Sequence, residues 1–85
     1  MPTIILTDPF NNDFRKLSAA ERKQTRKTLR FMAVNPKHNS LKIHRIKGTG
    51  FWEAYVNKDI RVVFEQNSDT LILHAIGRHN ILRKI

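Results

Sequence analysis

The hydrophobic periodicity of this chain changes at Leu41, and that change most limits the folds open to it. Before Leu41, apolar side chains recur at the spacing of helices. After it, apolar and polar residues alternate, as they do in strands that are buried on one face. The chain has 85 residues, the length of a single domain, residues 1–85. The pattern therefore predicts an α+β fold in which the helical part precedes most of the sheet.

The N-terminal part predicts a short strand and a first helix. Residues 3–6 form a β-branched run that predicts the strand. Asp8 is suited to cap a helix, and Pro9 suits its first position because an N–H there has no helical partner. Three apolar residues then follow at helical spacing and are expected to face the core: Phe10, Phe14 and Leu17.

A second helix is predicted from Ser18 to about Val34. Ser18 and Glu21 match the capping box, in which a serine cap is followed three residues later by glutamate. Asn35-Pro36 ends the helix, and the absence of a linker before Ser18 predicts an α-helical hairpin. One broad face of this helix is basic, and we expect it to bind RNA through Arg22, Lys23, Arg26, Lys27 and Arg30.

The C-terminal half predicts an antiparallel meander. Alternation begins at Leu41, and a turn at residues 47–50 separates it from a strand over residues 51–57. Further strands are expected over residues 60–65 and 70–76. Evenly spaced strands with short turns are typical of a meander, and the helices are expected to pack on one face of it.

The composition favours a polyanionic partner and excludes several other classes of function. The 16 Lys and Arg residues outnumber the 7 Asp and Glu residues, which gives a net charge of +9. Such a field raises encounter rates with nucleic acid and makes binding salt-dependent. The absence of cysteine removes disulfides, thiolate zinc sites and cysteine nucleophiles, and it fits a cytoplasmic protein. No apolar run approaches the roughly 20 residues of a membrane span, and no signal peptide, metal-ligand spacing or cofactor motif is recognisable.

Arg61 is the residue most suited to a functional site. It lies near the start of a central strand and points away from the apolar face of that strand. A guanidinium in this position needs a partner, because it cannot lose its charge. A salt bridge to Glu53 or Glu65 and a bidentate contact with phosphate both meet this need.

His79 lies after Gly77-Arg78 at the end of the last strand. A histidine there titrates near neutrality and suits a general acid or base, and a surface or capping role is the alternative. His74 lies within the same strand and favours a structural role, and His38 lies in a loop.

The segment from Lys42 to Lys47 is a basic ribbon. Strict alternation places Lys42 and His44 on one face and Arg45 on the other. All three side chains can therefore line one site only if the strand twists or bulges. A charged, solvated edge strand is the alternative. Among the nearby aromatic residues, Trp52 is expected in the core, whereas Phe51 and Tyr55 suit stacking on an unpaired base.

In these features the chain resembles the RelE/ParE superfamily of bacterial toxin–antitoxin toxins. The order of strand, helical hairpin and meander matches over nearly the whole chain. Four segments support the resemblance: Leu41-Lys42-x-His44-Arg45-Ile46-x-Gly48, Phe51-Trp52-x-Ala54-Tyr55-Val56-Asn57, Asp59-Ile60-Arg61-Val62-Val63-Phe64, and Asp69-Thr70-Leu71 with Gly77-x-His79-Asn80.

The resemblance implies a ribosome-dependent endoribonuclease that cuts mRNA in the 30S A site. It implies that Arg61, with Arg45, stabilises the transition-state phosphate, and that His79 is the catalytic acid or base. His44 or Glu53 would be the second proton-transfer group, and Lys42, Lys47 and Arg78 would contact RNA. Arg61→Ala is accordingly expected to abolish toxicity and leave the fold intact.

The resemblance also implies an acidic antitoxin as partner, with no cofactor and no membrane association. Several RelE-like toxins have a catalytic tyrosine near the C-terminus, where this chain has Asn80. A ParE-like inhibitor of DNA gyrase therefore remains open as an alternative, as does a non-toxic RNA-binding member.

Overall fold

The computed structural model describes residues 2–78. Within these residues, two α-helices pack on one face of a five-stranded mixed sheet. A 3-10 turn over Asn39–Leu41 links the helical part to the second strand. The elements are β1 Thr3–Leu6, α1 Asp8–Arg15, α2 Ala19–Val34, β2 His44–Arg45, β3 Trp52–Tyr55, β4 Ile60–Asn67 and β5 Thr70–Arg78.

The predicted α+β class and the antiparallel meander are confirmed. The strand order is β1-β5-β4-β3-β2, so β2 to β5 lie side by side in chain order with antiparallel pairing. β1 pairs with β5 in the parallel direction, with Thr3 opposite Thr70, and this pairing makes the sheet mixed. Neither helix of the described residues is long and apolar enough to cross a membrane.

The helix boundaries follow from their caps. Thr7, rather than the predicted Asp8, caps α1, because its hydroxyl accepts the backbone N–H of Phe10 at 3.3 Å. The predicted capping box of α2 is present: the Ser18 hydroxyl accepts the N–H of Glu21 at 3.1 Å. The Glu21 carboxylate accepts the N–H of Ser18 at 2.9 Å in return.

The Glu21 carboxyl also joins α2 to the end of β5, and this contact predicts a pH-dependent stability. Its pKa is held below the ordinary 4.5, mainly by the hydrogen bond from the Ser18 backbone. The positive charge of Arg78 lowers this pKa further. Because the pKa is lower in the folded state, the stabilisation is present above about 4.5 and is lost as the pH falls through the folded value. We expect Glu21→Gln to lower stability at neutral pH and to flatten the acid side of the stability curve. Urea unfolding across this pH range measures both effects, and parallel curves for the two proteins would contradict the assignment.

The predicted alternation from Leu41 is wrong over its first residues. Lys42 ends the 3-10 turn with a left-handed backbone, φ 46°, so regular pairing begins only at His44. β2 is therefore two residues long. Gly48, with φ 81°, allows the chain to reverse between β2 and β3.

The sheet has one face against the helices and one face away from them. The main core lies on the helix side, where Phe10 and Met32 pack against Val62 and Phe64. The opposite face is called the open face below. It holds a second, small apolar cluster, in which Ile46 and Phe51 cover Val63 and Ala75. The β2–β3 hairpin thus folds over part of the open face and leaves the rest accessible.

Candidate functional site

Glu53 is the centre of a polar cluster on the open face. It lies on β3 opposite His44 of β2 and Val63 of β4, and the residue is only 6% exposed. Its Oε1 atom lies 3.2 Å from Nε2 of His44 and 3.7 Å from Nε of Arg61. A buried carboxylate needs such partners, because removing a charge from water is unfavourable unless it is paired. His44, Glu53, Tyr55 and Arg61 are called the open-face cluster below.

His44 is the accessible member of the open-face cluster, with its side chain 50% exposed. Its Nδ1 atom lies 3.0 Å from the carbonyl oxygen of Lys42, and its Nε2 atom faces Glu53. Both ring nitrogens therefore face oxygen acceptors, and only the imidazolium form donates to both. The geometry places a histidine at the surface with a buried carboxylate behind it.

Arg61 is held on several sides. It is 8% exposed, and its Nη1 atom donates to the carbonyl oxygens of Asn57 at 2.8 Å and Ile60 at 3.3 Å. Its guanidinium carbon lies 3.6 Å from the centre of the Tyr55 ring, a cation–π contact. Of the two carboxylates expected as ion-pair partners, Glu53 takes this role. Glu65 instead pairs with His74, at 3.1 Å.

Tyr55 links the open-face cluster to the basic ribbon. The His44 ring meets it edge-on at 6.0 Å, and Nζ of Lys42 lies 5.6 Å from its ring centre. The structure therefore brings Lys42 and His44 to one place, as predicted, although the left-handed backbone of Lys42 replaces the predicted strand pairing.

Other predicted site residues lie elsewhere. Arg45 pairs with Trp52, and its guanidinium lies 5.6 Å from the Trp52 ring, which packs against the main core. Arg45 thus lies on the other face from Arg61 and does not join the open-face cluster. Lys47 is exposed in the β2–β3 turn, and Arg78 pairs with Glu21 at 3.0 Å. His79 lies outside the described residues.

The basic face of α2 is present for most of its predicted members. Lys23, Arg26, Lys27 and Arg30 are exposed. Two of them cover aromatic rings: Arg26 lies over Phe14 and Lys27 over Phe31. Arg22 differs, because its guanidinium donates to the carbonyl oxygen of Leu17 at 2.6 Å and so closes the junction between the helices.

The remaining described histidines have local partners. His38 stacks on Phe31 at 4.4 Å and accepts the backbone N–H of Ser40. His74 contacts Glu65 and the edge of Phe51, as expected for a structural residue. Within residues 2–78, no three His, Asp or Glu side chains are arranged to hold a metal ion.

Comparisons with known proteins give similarity in structure only. No family model and no curated protein matches the sequence. The solved structure of the conserved hypothetical protein HP0894 from Helicobacter pylori is 26% identical, with a TM-score of 0.73, over 93% of this chain and 96% of that one. YafQ from E. coli is 18% identical, with a TM-score of 0.74, over 96% and 98% of the two chains.

A third similar structure is a complex. It is the intact E. coli RelBE toxin–antitoxin complex, 14% identical with a TM-score of 0.72 over 94% of this chain and 99% of that chain. Each match covers nearly the full length of this chain and of the matched chain, so the similarity concerns the whole fold rather than one motif.

Proposed function

We propose, from the premise that this chain belongs by its fold to the RelE/ParE superfamily of toxins, that it cleaves mRNA on the ribosome. One observation supports this activity above the others: the exposed His44 imidazole is paired with the buried Glu53 carboxylate beside a buried Arg61. A histidine, an orienting carboxylate and a fixed positive charge are the groups that phosphodiester transfer needs.

The proposed reaction is attack of a ribose 2′-OH on the adjacent phosphorus. A bond forms between the 2′-oxygen and phosphorus, the bond from phosphorus to the 5′-oxygen breaks, and the products are a 2′,3′-cyclic phosphate and a 5′-OH. One group must take the proton of the 2′-OH, and another must give a proton to the leaving 5′-oxygen. No metal is required for this balance.

The geometry suits His44 to the acid role. It is the exposed member of the open-face cluster, and its two ring nitrogens contact the Lys42 carbonyl and Glu53, so one of these contacts must open for its proton to reach the leaving 5′-oxygen. Glu53 is too buried to approach the RNA itself and acts as a positioning residue that balances the charge of His44. The base is then His79, for which the family resemblance implies the role of catalytic acid or base.

The positive charges divide into two kinds. Arg61 holds Glu53 and Tyr55 in place, and its buried charge favours the negative phosphate in the transition state through short-range electrostatics. Lys42 is exposed beside Tyr55 and suits direct contact with a phosphate oxygen. The exposed lysines and arginines of α2 lie on the helix side of the molecule and suit contact with ribosomal RNA.

An acidic antitoxin is the proposed partner in the cytoplasm. The RelBE structure from E. coli is a toxin–antitoxin complex, and the YoeB–YefM structure from Staphylococcus aureus is also a complex. A net charge of +9 on a domain of this size would attract an acidic chain that folds as it binds.

One observation favours inhibition of DNA gyrase as a second candidate. The only tyrosine of the chain is Tyr55, whose ring is covered by Arg61, so no tyrosine follows His79 near the C-terminus. A toxin that lacks this residue would need another way to assist catalysis, whereas a gyrase inhibitor that acts by binding would not.

A reconstituted translation system tests the proposal directly. We expect the wild-type protein to cut mRNA only when ribosomes are present, and His44→Gln to cut far more slowly. The 5′ ends of the fragments, mapped by primer extension, give the cut sites. Intact mRNA together with inhibited supercoiling by purified gyrase would replace the nuclease proposal with the second candidate.

A further inference from the structure

A groove lies at the edge of the open face, where β5 extends past the end of β1 and α1 borders it. Its volume is about 490 Å³, within the range of small-ligand sites. α1 lines one side through Asn12, Asp13 and Lys16, and the sheet lines the other through Phe51, His74 and Ala75. This cavity is called the α1 groove below.

The α1 groove lies next to the proposed reaction centre. Glu53 pairs with Val63, and Val63 pairs with Ala75, so the groove begins two strand spacings, about 10 Å, from Glu53. Phe51 precedes Glu53 by two residues, which corresponds to about 7 Å along the strand. His44 lies one strand further away, on β2, so three strand spacings, about 14 Å, separate it from Ala75. Phe51 is thus the nearer part of the groove for an RNA strand with its scissile phosphate at His44.

Phe51 is the aromatic residue of this face that remains suited to stacking. Tyr55 is already occupied, because Arg61 covers its ring at 3.6 Å and His44 meets it edge-on. Phe51 is half-buried and borders the α1 groove. His74 meets it edge-on at 5.2 Å, and Glu65 holds the His74 ring in turn. The ring thus has a fixed orientation and open space beside it.

The opposite wall supplies the polar groups that a nucleotide needs. Lys16 is exposed at the end of α1 and provides a cation for a phosphate. Asn12 provides an amide in the same wall, and the Asp13 carboxylate beside it accepts the backbone N–H of Ile76 at 3.3 Å. A ring on one side and a cation with an amide on the other is the arrangement with which proteins bind single-stranded RNA.

We propose that the α1 groove binds the base of a nucleotide adjoining the cleaved bond, with Phe51 stacked on the base and Lys16 on its phosphate. This inference rests on the proposed nuclease function for the identity of the RNA, and it adds a substrate subsite formed by α1 and β5.

RNA binding is measured in the His44→Gln protein, which is expected not to cleave and serves as the parent for the variants below. This tests the subsite without any reaction. The probe is a fluorescent single-stranded octamer of adenosines, followed by anisotropy at one fixed salt concentration. A second octamer has the same ribose-phosphate backbone and no bases. We expect Phe51→Leu to weaken adenosine octamer binding about tenfold and to leave binding of the base-free octamer unchanged. We expect Lys16→Gln to weaken both.

Two matched changes serve as controls. Phe14→Leu removes a ring outside the α1 groove, and Lys58→Gln removes an exposed charge in the β3–β4 turn. Both should bind the two octamers as the parent does. The subsite is overturned if Phe51→Leu binds the adenosine octamer as tightly as the parent, or if it weakens both octamers equally.

The result also separates the subsite from the nuclease proposal. Loss of base-dependent binding in Phe51→Leu, together with intact mRNA in the translation system, would keep the groove as an RNA site and remove the cleavage. Cleaved mRNA together with unchanged octamer binding in Phe51→Leu would keep the nuclease proposal and remove the groove as an RNA site.

Discussion

Glu53→Gln is expected to slow mRNA cleavage on the ribosome about a hundredfold, because acid–base groups contribute factors of this order. Gln keeps the shape of Glu53 and removes the charge that faces His44 Nε2 at 3.2 Å. Without the carboxylate, the His44 ring loses the charged group that contacts Nε2 and fixes its orientation. Single-turnover cleavage of mRNA on stalled ribosomes measures the rate, and we expect its pH profile to shift as well, because the change acts through His44.

Asp69→Asn is the matched control for this prediction. It also removes one negative charge from the chain, but in the exposed turn between β4 and β5. Its cleavage rate and pH profile should equal those of the wild type. Wild-type cleavage and an unshifted pH profile in folded Glu53→Gln would remove Glu53 from the mechanism.

Arg61→Ala is expected to destabilise the fold by about 3 kcal/mol, the lower end of the range for breaking a buried ion pair. The change removes the cation beside the buried Glu53 and takes away the side-chain donor to the carbonyl oxygen of Asn57, whereas the Ile60 carbonyl keeps the backbone N–H of Val56. This replaces the expectation from sequence that Arg61→Ala leaves the fold intact, because the side chain is buried and paired with Glu53. Urea unfolding measures the loss.

Arg45→Ala is the control for stability, because it removes an exposed guanidinium from β2, at the edge of the same sheet. We expect a change within about 0.5 kcal/mol there, as for most surface substitutions. The double variant Arg61→Ala/Glu53→Gln should be less unstable than the sum of the two single changes, because removing both charges leaves neither one buried alone. Equal unfolding midpoints for Arg61→Ala and Arg45→Ala would show that the buried contacts of Arg61 contribute nothing.

Local sequence signals predicted most of the fold. The capping box at Ser18 located the start of α2, and Asn35-Pro36 located its end. The alternation from residue 51 onward predicted β3, β4 and β5 in their meander order. These features depend on neighbouring residues, and short-range patterns specify them well. The parallel pairing of β1 with β5 depends on residues far apart in the chain, and no local pattern contains it.

The site was only partly predictable, because it depends on register and on one unusual backbone angle. Alternation placed Glu53, Tyr55 and Arg61 on the open face. The pairing of His44 with Glu53 required the exact register of β2 on β3, which begins only after the left-handed Lys42. The burial of Arg61 also depends on the turn at Asn57, whose carbonyl oxygen folds back onto the guanidinium. The role of His79 stays a prediction.

The chemical nature of the cut ends tests the central claim most directly. mRNA fragments from ribosomes treated with the wild-type protein should end in a 2′,3′-cyclic phosphate on one side and a free 5′-OH on the other. Mass spectrometry of a short cleaved mRNA identifies both ends, and both should be nearly absent after treatment with Glu53→Gln or His44→Gln. A 5′-phosphate at the cuts, or cyclic-phosphate ends formed equally well by both variants, would contradict catalysis by the His44–Glu53 pair.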